Sequence, residues 1–188
     1  MRKSIDIKIK GKCIEVEFNK ELKNQIIILN FEIVNPYQII CTSITIENNK
    51  YIQLSSTDIR KLNTHTLIKR GLNAIYSYRK IDKKEFDKDT NGKLSDKLNY
   101  KALIKTINSR KLKNRDLLLS IYSYIYQYES TNYDENVSKR LSNLLNYSEG
   151  YIKNLTKEAF KKDFIQKNNK GVSGGILSEK TISLLSSL

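Results

Sequence analysis

The chain has 188 residues, a hydrophobic share of 39% and a net charge of +14. The length admits one domain or two small ones, and the apolar share is above that of a disordered chain. The longest uninterrupted apolar run, Ile26 to Leu29, is far too short to span a bilayer, and the basic start MRKSIDIKIK has no apolar core of a signal peptide. A soluble, cytoplasmic protein with no membrane partner is therefore expected.

A pI near 9.6 favours an anionic partner, such as nucleic acid or an acidic surface. Two cysteines, Cys13 and Cys41, lie in strand-like runs without metal-site spacing and are expected to be buried thiols in a reducing compartment.

The first eighty residues have the pattern of strands. Ile5, Ile7 and Ile9 alternate with polar residues, and Ile14, Val16 and Phe18 continue the alternation after a Gly11-Lys12 turn, which predicts a hairpin with one wet face. QIIILNFEIV is more continuously apolar and suits a central strand. Pro36, the only proline, marks a turn before QIICTSITI, and NNKYIQL suggests a further hairpin. The period then changes: Leu67, Leu72, Ile75 and Tyr76 recur at helical spacing, so one helix lies across the sheet. STD and NTHT carry helix-start residues.

Residues 81–112 are dominated by charge and are expected to be a linker with one short helix, DKLNYKALIKTINS. Residues 113–188 are expected to be helical, ending in a Gly-rich tail. RDLLLSIYSYIYQY puts Leu117, Leu118, Ile121, Tyr124, Ile125 and Tyr128 on one stripe. Tyr122 and Tyr126 fall on another face, where packing is the preferred role over contact with solvent or phosphate. The fold class is thus α+β: an N-terminal antiparallel sheet with a packed helix over 1–80, a charged linker, and a C-terminal three-helix domain over 113–188.

Within that last part, SKRLSNLLNYSEGYIKNLTK from Ser138 fits a helix-turn-helix template. Leu141 and Leu145 take its apolar fourth and eighth positions, and Ser142 its small fifth. Asn146 takes the ninth, where the chain must turn through a left-handed conformation that asparagine tolerates. Ser148 stands where an N-cap belongs. Ile152 and Leu155 face back onto the first helix. The exposed face of the second helix then carries Glu149, Gly150, Tyr151, Lys153, Asn154, Lys157 and Lys161. Asparagine can read adenine through both amide groups, and lysine can reach guanine or phosphate.

The sequence LNYSEGYIKNLTKEAFKKDFI, with Leu145, Ser148, Leu155, Ala159 and the Phe164-Ile165 pair in register, resembles regulator-like proteins of actinobacterial plasmids and phages. KGVSGGILSEKTISLL is similar to their continuation into a Gly-rich turn and short helix, and YIQLSSTDIRKLNTHTLIKRGLNAI to the end of their N-terminal part. The resemblance covers residues 40–80 and 113–188 and departs at their glycine and tryptophan positions. It implies a DNA-binding protein of a mobile element and implies no target.

DKDTNGKLSDKL, residues 87–98, has EF-hand-like spacing at Asp87, Asp89, Asn91 and Gly92, but Leu98 stands where a bidentate carboxylate is needed, so a polar turn is preferred over a calcium site. The lone histidine, His65, has no partner for a triad or a metal, and GVSGG lacks the lysine of a phosphate-binding loop, so neither enzyme nor cofactor is expected.

The sequence therefore predicts a sequence-specific protein that binds double-stranded DNA, a transcriptional regulator of a plasmid, phage or other mobile element. Its contacts are Ser148, Glu149, Gly150, Tyr151, Lys153, Asn154, Lys157 and Lys161, helped by a basic run of Lys97, Lys101, Lys105, Arg110, Lys111, Lys113 and Arg115. The N-terminal domain would form a homodimer or bind a partner. The alternative is an adaptor of phage packaging or element mobilisation without base readout.

Overall fold

The computed structural model describes residues 5–22, 25–47, 54–90, 92, 94–96, 98–133, 136–167 and 175–188. The chain divides into two compact units, Met1–Ser95 and Asp96–Leu188.

The first unit is a four-stranded antiparallel meander, β1 (Ile5–Lys10), β2 (Cys13–Leu22), β3 (Gln25–Asn35) and β4 (Gln38–Glu47), in the order β1-β2-β3-β4. The turns fall at Gly11-Lys12, where Gly11 has φ +61°, and at Pro36-Tyr37. The alternation sets the register: Val16 pairs with Leu29 and Ile14 with Phe31, so Ile14, Val16, Phe18, Ile27, Leu29, Phe31 and Ile33 share the buried face. The proposed NNKYIQL hairpin lies outside the described residues.

Three helices follow: α1 (Ser56–Arg60), α2 (Thr64–Ile81) and α3 (Lys83–Asp89). Ser55 caps α1 through a reciprocal capping box with Asp58, and Asn63 caps α2. Leu67, Leu72 and Ile75 of α2 join the sheet's core. Gly71 is what lets α2 come so close. A Cβ there would stand 2.6 Å from the ring of Phe31 and 3.2 Å from Leu29. Gly71→Ala should therefore cost about 1–3 kcal/mol, although alanine is the better helix former, and a urea melt will show the sign.

Two expectations are corrected here. Residues 81–95 do not belong to a linker. Phe86 and Leu94 are buried in the N-terminal core, and Arg79 fastens this segment by donating to Asp87 (3.2 Å), the Leu94 carbonyl (2.7 Å) and the Ser95 carbonyl (3.0 Å). Two apolar anchors and one satisfied guanidinium hold the charged stretch down. Nor is Cys13 buried. It is exposed opposite Glu32 in the ladder, while Cys41 pairs with Phe31. Adjacent ladder positions point to opposite faces, so the two thiols lie on opposite sides of the sheet and cannot bridge. Burial pushes the Cys41 thiol up to about 11.

The second unit begins with α4 (Tyr100–Asn108), the short helix expected inside the linker, which buries Leu103 and Ile107 in this unit. Then come α5 (Arg115–Asn132), α6 (Val137–Leu145), α7 (Glu149–Lys161), the strands β5 (Ile165–Lys167) and β6 (Gly175–Leu177), and α8 (Glu179–Leu185). Among the described residues the three helices expected over 113–188 are four, α5 to α8, with a two-stranded ladder. α5 is buried almost all round, Leu118 through Ile125 without a break, so it is the central post rather than a one-striped surface helix. Two short strands form an antiparallel ladder: Ile165 pairs with Leu177 and Lys167 with Gly175. Gly175 sits so tightly against Ile165 and the Gln166 carbonyl that no side chain fits. Residues 168–174 of the expected Gly-rich tail lie outside the described residues. No helix among the described residues is long and apolar enough to cross a membrane.

Candidate nucleic-acid interface

The corner between α6 and α7 is built by local rules. Asn136 caps α6 by accepting from the Lys139 amide (3.2 Å). α6 ends at Asn146 in the left-handed conformation, φ 52° and ψ 42°. Ser148 then caps α7 by accepting from the Tyr151 amide (3.2 Å). Ser142 closes the corner from inside. Its hydroxyl donates to the Tyr147 carbonyl (2.6 Å) and its carbonyl accepts from the Tyr147 amide (3.2 Å). The four residues expected to hold the pair together, Leu141, Leu145, Ile152 and Leu155, are all buried.

α7 rests on α5 through Tyr122, which is fully buried. Its hydroxyl donates to the Ile152 carbonyl (3.2 Å) and meets the Thr156 hydroxyl (2.6 Å). Burial pushes that phenol well above its ordinary range. Tyr126 is half-buried against Tyr122 and Phe160. Packing is thus the first role of both tyrosines.

With Ile152, Leu155 and Ala159 turned inward, the outer face of α7 consists of Gly150, Lys153, Asn154, Lys157 and Lys161, all exposed and spaced as one helical stripe. No acidic residue stands in it. The two flanking glutamates are both engaged: Glu149 with Lys153 (2.9 Å), and Glu158 with Lys162 (2.9 Å) and Arg115. The Arg115 guanidinium, helped by Lys162, holds the Glu158 carboxyl down at about 2. Nothing stands within 4 Å of where a Gly150 side chain would begin, so the start of the stripe is open.

The remaining expected contacts divide. Lys111 and Lys113 are exposed in the connector between α4 and α5. That connector is tied to the corner: Arg110 donates to the Asn146 carbonyl (3.4 Å) and lies over the Tyr147 ring (5.7 Å), and Asn108 donates to the Leu144 carbonyl (3.2 Å). Both lysines are therefore carried beside the α6–α7 corner. Arg115, in contrast, is committed within the protein. Its Nε donates to Glu158 (3.3 Å) and its Nη1 to the Tyr151 hydroxyl (3.1 Å). It is a clamp between α5 and α7. Tyr151 is half-buried by that bond and by its ring contact with Tyr147, 4.7 Å between centroids. Ser148 is occupied as the cap. Lys101 and Lys105 are exposed on α4, and Lys97 lies outside the described residues.

Sequence reasoning missed Glu129. This carboxylate, 4% exposed near the end of α5, accepts from Arg140 Nε (3.1 Å) and Nη2 (2.9 Å) on α6, and from the Tyr100 hydroxyl on α4. Arg140 also lies 3.6 Å over the Tyr133 ring. The only signal in the sequence was an acid inside the apolar run of α5.

The described part of the EF-hand-like stretch begins as helix rather than loop. Asp87 and Asp89 lie on helix α3, Asp87 is paired with Arg79, and Asn91 lies outside the described residues. Among the described residues no group of three or more His, Cys, Asp or Glu side chains stands together to hold a metal. No family model, curated protein or solved structure matches this chain.

Proposed function

We propose that the protein binds double-stranded DNA in a sequence-specific way, with α6 and α7 as its helix-turn-helix and α7 in the major groove. The observation that carries this reading is the acid-free exposed stripe Gly150, Lys153, Asn154, Lys157 and Lys161, set on a helix whose flanking glutamates are already paired. A solvated helix face ordinarily mixes both signs of charge. A stripe with an amide between lysines suits base edges flanked by phosphates. Lys111 and Lys113 add phosphate contacts from the α4–α5 connector. Arg115 is left out of the contact set and acts by holding α7 through Glu158.

The resemblance of residues 113–188 to regulator-like proteins makes a transcriptional regulator of a plasmid, phage or other mobile element the biological reading. A homodimer would form through the N-terminal unit, whose edge strands are β1 and β4.

Asn154 decides between base readout and mere adhesion. Bidentate amide readout discriminates by about 1–3 kcal/mol. Asn154→Ala should relax the preference at one or two adjacent positions of a selected site, keep the affinity for scrambled DNA, and leave the melting temperature unchanged. Binding titrations on both DNAs measure this. Equal losses on the two would remove the base-reading role and leave an adaptor without base readout.

A further inference from the structure

Beside the stripe lies a cavity of about 330 Å³ whose walls come from three helices: Tyr126 of α5, Asn136 to Ser138 at the start of α6, and Lys153, Thr156 and Lys157 of α7. Its chemistry is one-sided. The described lining residues bring two ammonium groups and several hydroxyls, and no carboxylate. Lys153 is shared with Glu149, whereas Lys157 has no ion-pair partner among the described residues. The Tyr126 hydroxyl likewise has no hydrogen-bond partner among them, although the ring is half-buried against Tyr122 and Phe160. A phenol is protonated, and so a donor, at neutral pH, and burial shifts this one further in that direction. The Asn136 side-chain oxygen is spent on the Lys139 amide, leaving its NH2 group as a further donor. A concave surface of donors and cations, several of them unspent, matches a tetrahedral oxyanion that accepts from every side.

We propose that this cavity binds a phosphate group, and that on DNA it takes one backbone phosphodiester beside the bases read by α7. The DNA part rests on the function proposed above; the phosphate-binding chemistry does not. The cavity adds Tyr126, Asn136 and Ser138, from the two helices behind α7, to the contact set. A phosphate seated there would fix how α7 is rotated in the groove, because Lys157 and Tyr126 would hold it from opposite elements.

The test uses the full chain and the variants Tyr126→Phe and Lys157→Gln, first with a selected DNA site and then with inorganic phosphate followed by amide chemical shifts. Tyr126→Phe removes one hydroxyl and keeps the packing. It should weaken binding to selected and scrambled DNA alike by roughly tenfold, the effect of losing one hydrogen bond to a charged group. Lys157→Gln should make the slope of log affinity against log salt shallower by about 0.9, one phosphate's share. Inorganic phosphate should shift the Ser138 and Lys157 amides of the parent protein and shift them less in Tyr126→Phe. If the parent binds DNA and both variants bind as it does, the phosphodiester site is overturned while the DNA reading stands. If the parent binds no DNA, the DNA reading falls and the phosphate titration alone decides: shifts at Ser138 lost in Tyr126→Phe support a site for free phosphate, and no shifts overturn the cavity proposal.

Discussion

Glu129→Ala should lower the stability of the Asp96–Leu188 unit by about 3 kcal/mol, the cost of breaking a buried ion pair from one side. The carboxylate is almost fully buried and joins three helices at one point: its own α5, α6 through Arg140, and α4 through Tyr100. Removing it takes away the acceptor of the Arg140 Nε and Nη2 donors and of the Tyr100 hydroxyl. Arg140 is 29% exposed and can turn partly to water, which places the loss at the lower end of the range for such pairs. For a unit of this size the loss corresponds to a fall of roughly 10 °C or more in melting temperature. Hydrogen exchange resolved to α5 and to β3 separates this unit from the sheet. Protection should fall in α5 and hold in β3. A change within 0.5 kcal/mol in α5 would mean that the helices are set by apolar packing alone. On the proposed function the consequence is indirect: α6 carries the corner, so loosening Arg140 should also blunt discrimination between DNA sequences.

What was legible in the sequence was whatever obeys a local rule. The alternation of Ile14, Val16 and Phe18 needs only the two-residue period of a strand. The corner needs only Asn146 in a left-handed turn, Ser148 as a cap and apolar side chains at helical spacing. Ser55 and Asn63 mark helix starts by the same short-range chemistry. Composition misled where a few side chains outweigh many. Phe86 and Leu94 are isolated in a charged stretch, yet they and Arg79 bind residues 81–95 into the first unit. The β5–β6 ladder was not foreseen because its strands are only three residues each, too short to show a period, and because Gly175, which permits their close pairing, carries no strand signal. Charge pairs were the hardest to foresee. Arg115 and Glu158 are 43 positions apart, and nothing in the sequence tells a clamp from a phosphate contact. The same blindness hid the link between Glu129 and Arg140. It also hid the cavity, which exists only because Tyr126, Ser138 and Lys157 are brought together by three different helices.

DNA affinity should fall steeply with ionic strength. Each phosphate neutralised by a lysine releases condensed counterion, and about five contacts give a slope of log affinity against log salt of about −4.5. Raising salt from 50 to 200 mM would then weaken binding by roughly 500-fold. Five is the number of lysines in the proposed contact set: the exposed Lys153, Lys157 and Lys161 of α7, and Lys111 and Lys113 of the α4–α5 connector. Arg115 is not counted, because its guanidinium is held by both Glu158 and the Tyr151 hydroxyl as a clamp between α5 and α7, whereas Lys153 makes a single exposed pair with Glu149, worth little, that it can leave for a phosphate. This yields a contrast that the net charge of +14 does not. Lys111→Ala and Lys161→Ala should each make the slope shallower by about 0.9 and weaken selected and scrambled DNA equally. Arg115→Ala should leave the slope unchanged and instead weaken the selected site more than scrambled DNA, since it frees α7 to shift while leaving the phosphate contacts in place. A diffuse attraction of a basic chain for a polyanion would treat all three cations alike. Equal changes of slope for Lys111→Ala, Lys161→Ala and Arg115→Ala would therefore remove the specific interface and leave only the charge.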